Sequence, residues 1–211
     1  MEKYIDRHEA GKVLAKALLS YQNRQDVIVL ALPRGGVPVA HEIAKTLHVP
    51  LDIFVVRKLG VPGHEELAFG AVASGGTVTY NDDVLQYHHI SEPIIKQVIH
   101  AETQELTRRE SVYRGNKPYP DLKNKVIILV DDGIATGATM RTAIKALRAK
   151  HPLLIIVAVP VAEKSTCEEI AHIADKIICP LQPTLFYAVG AWYDSFPQTT
   201  DAEVLNLLKS L

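Results

Sequence analysis

The stretch from residue 126 to 142, Val-Ile-Ile-Leu-Val-Asp-Asp-Gly-Ile-Ala-Thr-Gly-Ala-Thr-Met-Arg-Thr, constrains this chain more than any other. Five consecutive apolar residues, Val126 to Val130, read as a strand buried on both faces, as strands of parallel sheets are. Two adjacent carboxylates, Asp131 and Asp132, stand at its C-terminal end, and a turn rich in Gly, Ala and Thr follows. Met140, Ala143, Ile144 and Leu147 then keep the i, i+3, i+4, i+7 spacing of one helix face. A phosphate-sized loop therefore separates a buried strand from a helix N-terminus, where backbone N–H groups and the helix dipole favour an anion. The acidic pair does not suit a phosphate. It suits hydroxyls, or a hard cation beside the phosphate. A ligand with a phosphate, a sugar diol and Mg²⁺ satisfies both halves.

A plainer alternative is a capped helix start, with Thr136 or Thr139 as N-cap and the aspartates as surface polar groups. A bare cap does not need two carboxylates, two glycines and two threonines together. The loop is neither a Walker A loop nor a dinucleotide fingerprint, since Gly-Lys-Ser/Thr and Gly-x-Gly-x-x-Gly are both missing.

With 211 residues, 47% of them hydrophobic, the chain can bury one substantial core, and a single domain over 1–211 is expected. A net charge of −1 argues against a protein held to nucleic acid by bulk electrostatics. Cys167 and Cys179 are too few for a disulfide framework and read as packing residues. No apolar run approaches the ~20 residues needed to cross a bilayer, and the first residues lack signal-peptide character, so the expectation is a cytoplasmic protein.

Apolar runs at Val27–Leu32, Leu51–Val56, Leu153–Val159 and Lys176–Cys179 read as further strands, with helical patterns between them. Strands alternating with helices predict a parallel sheet with right-handed crossovers. Helices are expected over 8–22, from Gly36 to about Leu47, from Glu92 to Tyr113, over Glu163–His172 and over 200–210. Gly75-Gly76 predicts a hairpin turn, and residues 57–69 an irregular, Gly/Pro-punctuated loop. In such sheets ligands bind outside the C-terminal strand ends. Distinctive loops follow three of them, at Pro33–Gly36, Arg57–Phe69 and Asp131–Thr139.

The strand, acidic pair and Gly-Ile-Ala-Thr-Gly-Ala-Thr loop resemble the 5-phosphoribosyl-1-pyrophosphate (PRPP) signature of type I phosphoribosyltransferases. The chain also resembles a bacterial group of about this length classed only as phosphoribosyltransferases. The resemblance covers most of residues 25–180 and implies a mostly parallel central sheet flanked by helices. It also implies a small hood, formed by the 68–80 hairpin region and about 181–200. By resemblance, Asp131 and Asp132 bind the ribose diol, act in catalysis and reach Mg²⁺ largely through ligand oxygens or water. Ala135, Thr136, Gly137, Ala138 and Thr139 cradle the 5′-phosphate. Arg34, Gly35 and Gly36 match the family's pyrophosphate loop; two glycines allow close backbone approach, and successive N–H groups form an anion nest.

Arg57 and Lys58 resemble the start of the family's catalytic loop, where cations stabilise the departing pyrophosphate. A flexible lid would follow, with His64, Glu65 and Glu66 as its contacts. Phe186, Tyr187 and Trp192 lie in an aromatic-rich stretch that either ties down the C-terminus or stacks against a planar acceptor. The implied activity moves the phosphoribosyl group from PRPP to a nitrogen acceptor, a nucleobase, in a homodimer.

Two rival classes remain. One is a non-catalytic PRPP-sensing regulator that binds nucleic acid through Arg108, Arg109, Arg114 and Lys117. The other is a phosphatase-like enzyme with Asp131 as nucleophile, which the loop's glycines and threonines disfavour.

Overall fold

The computed structural model describes residues 3–211, without the side chains of Glu65 and Glu66. Five parallel strands form the central sheet: β1 (Val27–Ala31), β2 (Leu51–Ile53), β6 (Val126–Val130), β7 (Leu154–Ala158) and β8 (Lys176–Ile178). Their order is β2-β1-β6-β7-β8. Every residue of β1 and β6 is buried, which is why both read as unbroken apolar runs.

Alternation along these strands divides the core. Val27, Val29, Ala31, Val126, Ile128 and Val130 pack with α1 (Arg7–Ala17) and α2 (Gly36–Leu47). Ile28, Leu30, Ile127 and Leu129 face α5 (Ala138–Arg148) and α6 (Lys164–Ile173).

The chain order reverses between β1 and β6. From β1 it proceeds through α2 to β2 on one side, while β6 begins the run to β7 and β8 on the other. Ala31 pairs with Val130 at the C-terminal ends, so the loops after the two strands leave side by side. Crevices at such reversals are the usual ligand sites of open α/β sheets.

The expected strand Leu51–Val56 is not one strand. It breaks at Phe54-Val55, where the Val55 N–H donates to the Ser74 hydroxyl at 2.8 Å and the Ser74 N–H to the Val55 carbonyl at 2.9 Å. These bonds turn the chain out of the parallel sheet. The stretch 57–69 is not an irregular loop either. β3 (Val56–Val61) and β4 (His64–Ala73) pair antiparallel across a Pro62-Gly63 turn, with Gly63 at φ 79°. β5 (Thr77–Tyr80) joins them after the expected Gly75-Gly76 turn, giving a separate three-stranded sheet.

A short α3 (Asp82–Tyr87) and the long α4 (Glu92–Arg114) follow, and α7 (Asp201–Lys209) ends the ordered elements. No helix among the described residues is long and apolar enough to cross a membrane.

Candidate active site

The loop after β1 and the acidic pair after β6 are in contact. A Cβ added to Gly35 would collide with the carboxylate of Asp132, and one added to Gly36 would lie 2.7 Å from the Val130 carbonyl and 3.4 Å from Asp131 Oδ1. Both positions need glycine because the backbone itself is the neighbour of the aspartates. The Pro33–Arg34 peptide here is cis. Two motifs separated by almost a hundred residues thus form one wall of one site.

Asp131 Oδ1 accepts the Asp132 N–H at 2.8 Å, which orients the pair. Asp132 Oδ2 accepts from Arg7 Nε at 2.8 Å, with side-chain exposures of 15% and 10%. Burial pushes the Asp131 carboxyl well above its ordinary range, and the neighbouring Asp132 charge adds to the shift. Asp132 is also raised by burial, against the opposing pull of Arg7. The pair is therefore electrostatically uncomfortable without a ligand. Hydroxyl donors or a cation would relieve it.

Arg7 gives no sequence signal. It is the first residue of α1, whose Asp6 cap accepts from the Glu9 N–H at 2.8 Å. Its guanidinium donates to the Pro197 carbonyl at 2.7 Å and stacks 3.7 Å from the Phe196 ring centre. The Tyr193 hydroxyl donates to the Asp132 carbonyl at 2.6 Å. The two ends of the described chain thus buttress the acidic pair.

Residues 135–139 wrap a 140 Å³ cavity together with Asp131, Gly133 and Ile134. The N-cap of α5 is Gly137, at φ 75°, rather than Thr136 or Thr139. The left-handed cap leaves the first amides of α5 at this cavity, where helix geometry gives them no intrahelical acceptor. Thr139 also borders two neighbouring cavities, of 320 and 550 Å³. The first carries Arg34 and the second Arg57 and Lys58, so the expected phosphate and pyrophosphate residues open onto adjoining space.

Arg57 is engaged. Its Nε and Nη2 lie 2.7 and 2.6 Å from Glu102 Oε2 on α4. Lys58 is exposed on β3. His64 is exposed at the start of β4, its ring 6.5 Å from that of His88, and the side chains of Glu65 and Glu66 lie outside the described residues. Arg34 Nη1 stands 3.6 Å from Asp201 Oδ1.

The aromatic stretch divides. Phe186, Trp192 and Phe196 pack on a small cluster of Tyr4, Ala10, Val161 and Tyr193, while Tyr187 is 89% exposed. Trp192 and Phe186 thus carry packing, and Tyr187 alone of the three stands out into solvent. Trp192→Ala should lower stability by about 2–3 kcal/mol, and Tyr187→Ala by less than about 0.5 kcal/mol. Urea unfolding of both variants checks this contrast. Val189 closes on the acidic-pair loop, since a Cβ at Gly133 would sit 2.5 Å from its Cγ1.

Three of the four basic residues of the rival nucleic-acid reading are paired with carboxylates. Arg114 is largely buried against Asp52, at 2.8 Å, and Arg108 and Arg109 both pair with Glu105.

The donor set fits a Mg²⁺ carried in by a ligand. Among the described residues no three or more His, Cys, Asp or Glu side chains gather at a metal-binding distance, and one oxygen of Asp132 is already taken by Arg7. Two carboxylates and ligand oxygens would complete a hard-cation shell that the protein alone does not.

A family model described as a phosphoribosyl transferase domain matches residues 5–190. The chain belongs to the phosphoribosyl transferase family. A Mycobacterium tuberculosis protein (strain H37Rv) named provisionally as a phosphoribosyl transferase is 42% identical over 208 residues. The match covers 99% of this chain and 47% of that protein, so the chain spans about half the length of the curated relative. The Bifunctional protein PyrR of Clostridium acetobutylicum is 32% identical over 137 residues, 64% of this chain and 56% of its own. The crystal structure of TT1426 from Thermus thermophilus superposes with a TM-score of 0.87 at 36% identity, covering 99% of this chain and 98% of that one. The fold, a mostly parallel sheet flanked by helices, is shared with that structure over 99% of this chain, and the phosphoribosyl transferase model spans residues 5–190 of it.

Proposed function

We propose that this chain transfers the 5-phosphoribosyl group of PRPP to a ring nitrogen of a planar acceptor, a nucleobase, and releases pyrophosphate. The observation that carries the reading is the contact of Gly35 and Gly36 with Asp131 and Asp132. It sets a diol-binding pair beside a backbone anion nest, with the helix-capped cavity of residues 135–139 next to both. That sequence of subsites matches diol, pyrophosphate and 5′-phosphate on one small ligand.

In this reading the acceptor nitrogen forms a bond to C1 of the ribose as the bond from C1 to the pyrophosphate oxygen breaks; pyrophosphate leaves with the bonding electrons, and the proton of the acceptor N–H passes to a carboxylate of the Asp131-Asp132 pair or to water. Asp131 and Asp132 orient the ribose through its hydroxyls, and the amides at residues 135–139 hold the phosphate, so positioning lowers much of the barrier. Arg57 and Lys58 offset charge on the departing oxygens. Arg57 exchanges Glu102 for the leaving group to do so. Asp131 and Asp132 would hold Mg²⁺ through ligand oxygens, and the bound ion would neutralise pyrophosphate charge. Of Phe186, Tyr187 and Trp192, Tyr187 is the one left exposed, and in this reading it stacks on the acceptor.

The test is pyrophosphate release from PRPP across a panel of free nucleobases. One base should support release well above the acceptor-free background. Release with none of them would remove the nucleobase assignment. Tyr187→Ala should then lower kcat/KM for the acceptor about 5- to 50-fold, the scale of one lost stacking contact, with PRPP affinity unchanged.

A further inference from the structure

A further cavity, of 210 Å³, lies between α5 and the three-stranded sheet. Arg141, Thr142 and Lys145 form its α5 side, Thr79 and Asn81 its β5 side, and small residues of β4 such as Ala71 its floor. It shares no lining residue with the three cavities of the candidate active site.

The donors here are not matched by acceptors. No carboxylate is among the described residues that line the cavity. Lys145 Nζ donates to the Tyr80 carbonyl, a neutral group. Arg141 Nη1 reaches Glu169 Oε2 at 3.0 Å, but that acid lies on α6 with its side chain 63% exposed, where an ion pair contributes little. Asn81 is the N-cap of α3 yet makes no side-chain capping bond, the usual use of Asn there. Among the described residues neither its amide nor the Thr79 hydroxyl has a hydrogen-bond partner. The Thr142 hydroxyl is turned back on α5 and donates to the Ala138 carbonyl at 2.8 Å. Two cations, an amide and a hydroxyl around a small space suit a compact anion with several acceptor oxygens. A phosphate group has them: the guanidinium offers paired donors to its oxygens and the ammonium a point charge. An apolar ligand would leave those donors unpaired.

We infer that this cavity is a second anion site, for free phosphate or the phosphate group of a small monoester, separate from the candidate active site. Arg141 and Lys145 hold the oxygens, and Asn81 and Thr79 complete the shell. The Arg141 N–H donates to the Gly137 carbonyl at 2.9 Å, and its Nη1 would lie 2.8 Å from a Cβ at Gly137. Ala71 on the floor pairs with Lys58 across the β3–β4 ladder. An anion here therefore bridges the helix that begins at the phosphate loop and the sheet that carries Arg57 and Lys58. No bond is made or broken, and the inference does not depend on the phosphoribosyl reading.

The experiment follows the backbone amide resonances of the isotopically labelled full chain as inorganic phosphate is added, and in a second series glycerol 3-phosphate. The amides of Thr79, Asn81 and Thr142 should shift to saturation with a midpoint of their own, distinct from that of residues 135–139. A tighter midpoint with glycerol 3-phosphate identifies a monoester as the ligand, and equal midpoints identify free phosphate. Lys145→Gln should weaken binding at the cavity about 10-fold and move the midpoint of residues 135–139 by less than about 2-fold. Asn81→Ala, which keeps both charges, should weaken it about 3- to 5-fold. Lys123→Gln, an exposed charge outside the cavity, should change neither midpoint by more than about 2-fold.

No saturable shift at Thr79, Asn81 and Thr142 up to tens of millimolar would overturn the inference. Equal weakening by Lys123→Gln would reduce the effect to net charge and overturn it too. Shifts that share the midpoint of residues 135–139 and persist in Lys145→Gln would be transmitted from the phosphate loop, with the same consequence. If the cavity responds as described while residues 135–139 do not respond at all, the donor reading falls and the second anion site stands.

Discussion

Mg·PRPP should raise the melting temperature of the native chain, and Asp131→Asn combined with Asp132→Asn should abolish that rise. A ligand that binds only the folded state adds about 2.7 kcal/mol when its free concentration is a hundred times its Kd. For a domain of this size each kcal/mol moves the midpoint by roughly 2–4 °C, so a shift of about 5–10 °C is expected. The double variant keeps the shape of both side chains and removes both charges. It can no longer accept strongly from two ribose hydroxyls or share a cation with the ligand. Differential scanning fluorimetry with PRPP and Mg²⁺ measures both. No shift in the native chain at millimolar ligand, or an undiminished shift in the variant, would reject the assignment of the pair.

The part of the site that rests on strand ends was legible because buried parallel strands announce themselves. Val126 to Val130 and Val27 to Ala31 are apolar without alternation, and the residues just past them are where such sheets bind ligands. What could not be read was anything that depends on which surfaces meet. Arg57 and Lys58 interrupt the apolar pattern of β3, and Gly60, Pro62 and Gly63 look like loop residues. The strand exists because β4 pairs with it, and a pairing partner leaves no local mark.

Arg7 is the sharper case. Its neighbours Asp6 and His8 give it the look of a solvated helix start, and only the fold brings it 125 positions along the chain to Asp132. Glu102 and Glu105 are similar: on the sequence of α4 they are ordinary helix-surface acids, and their meaning comes from the Arg57, Arg108 and Arg109 they hold. The cap shows a third kind of loss. Thr136 and Thr139 have the better capping side chains, but the loop must turn through a left-handed residue before α5, and Gly137 alone takes that conformation freely.

The acidic pair and its arginine should respond to substitution with opposite signs. Arg7→Ala leaves the largely buried Asp132 without its cation, removes a donor to the Pro197 carbonyl and strips the cation from the Phe196 ring. Breaking a largely buried pair from one side costs about 3–5 kcal/mol. Asp131→Asn should do the reverse and stabilise the ligand-free protein, since burial and the neighbouring Asp132 charge disfavour only the ionised form of Asp131. The Asn oxygen can still accept the Asp132 N–H, so the geometry survives.

The pH dependence fixes the sign independently. Asp131 is harder to ionise in the folded than in the unfolded chain, so the folded state binds the extra proton. The penalty is fully present above the folded pKa and fades as pH falls through that value towards the ordinary carboxylate pKa near ~4. The stability advantage of Asp131→Asn over the native chain should therefore be largest at about pH 8 and shrink towards about pH 5. Urea unfolding of the three proteins across that range measures it. A destabilised Asp131→Asn variant, or an advantage that grows as pH falls, would mean that the buried charge is already compensated in the empty site. In that case the pair's appetite for hydroxyls or a cation would lose its energetic basis.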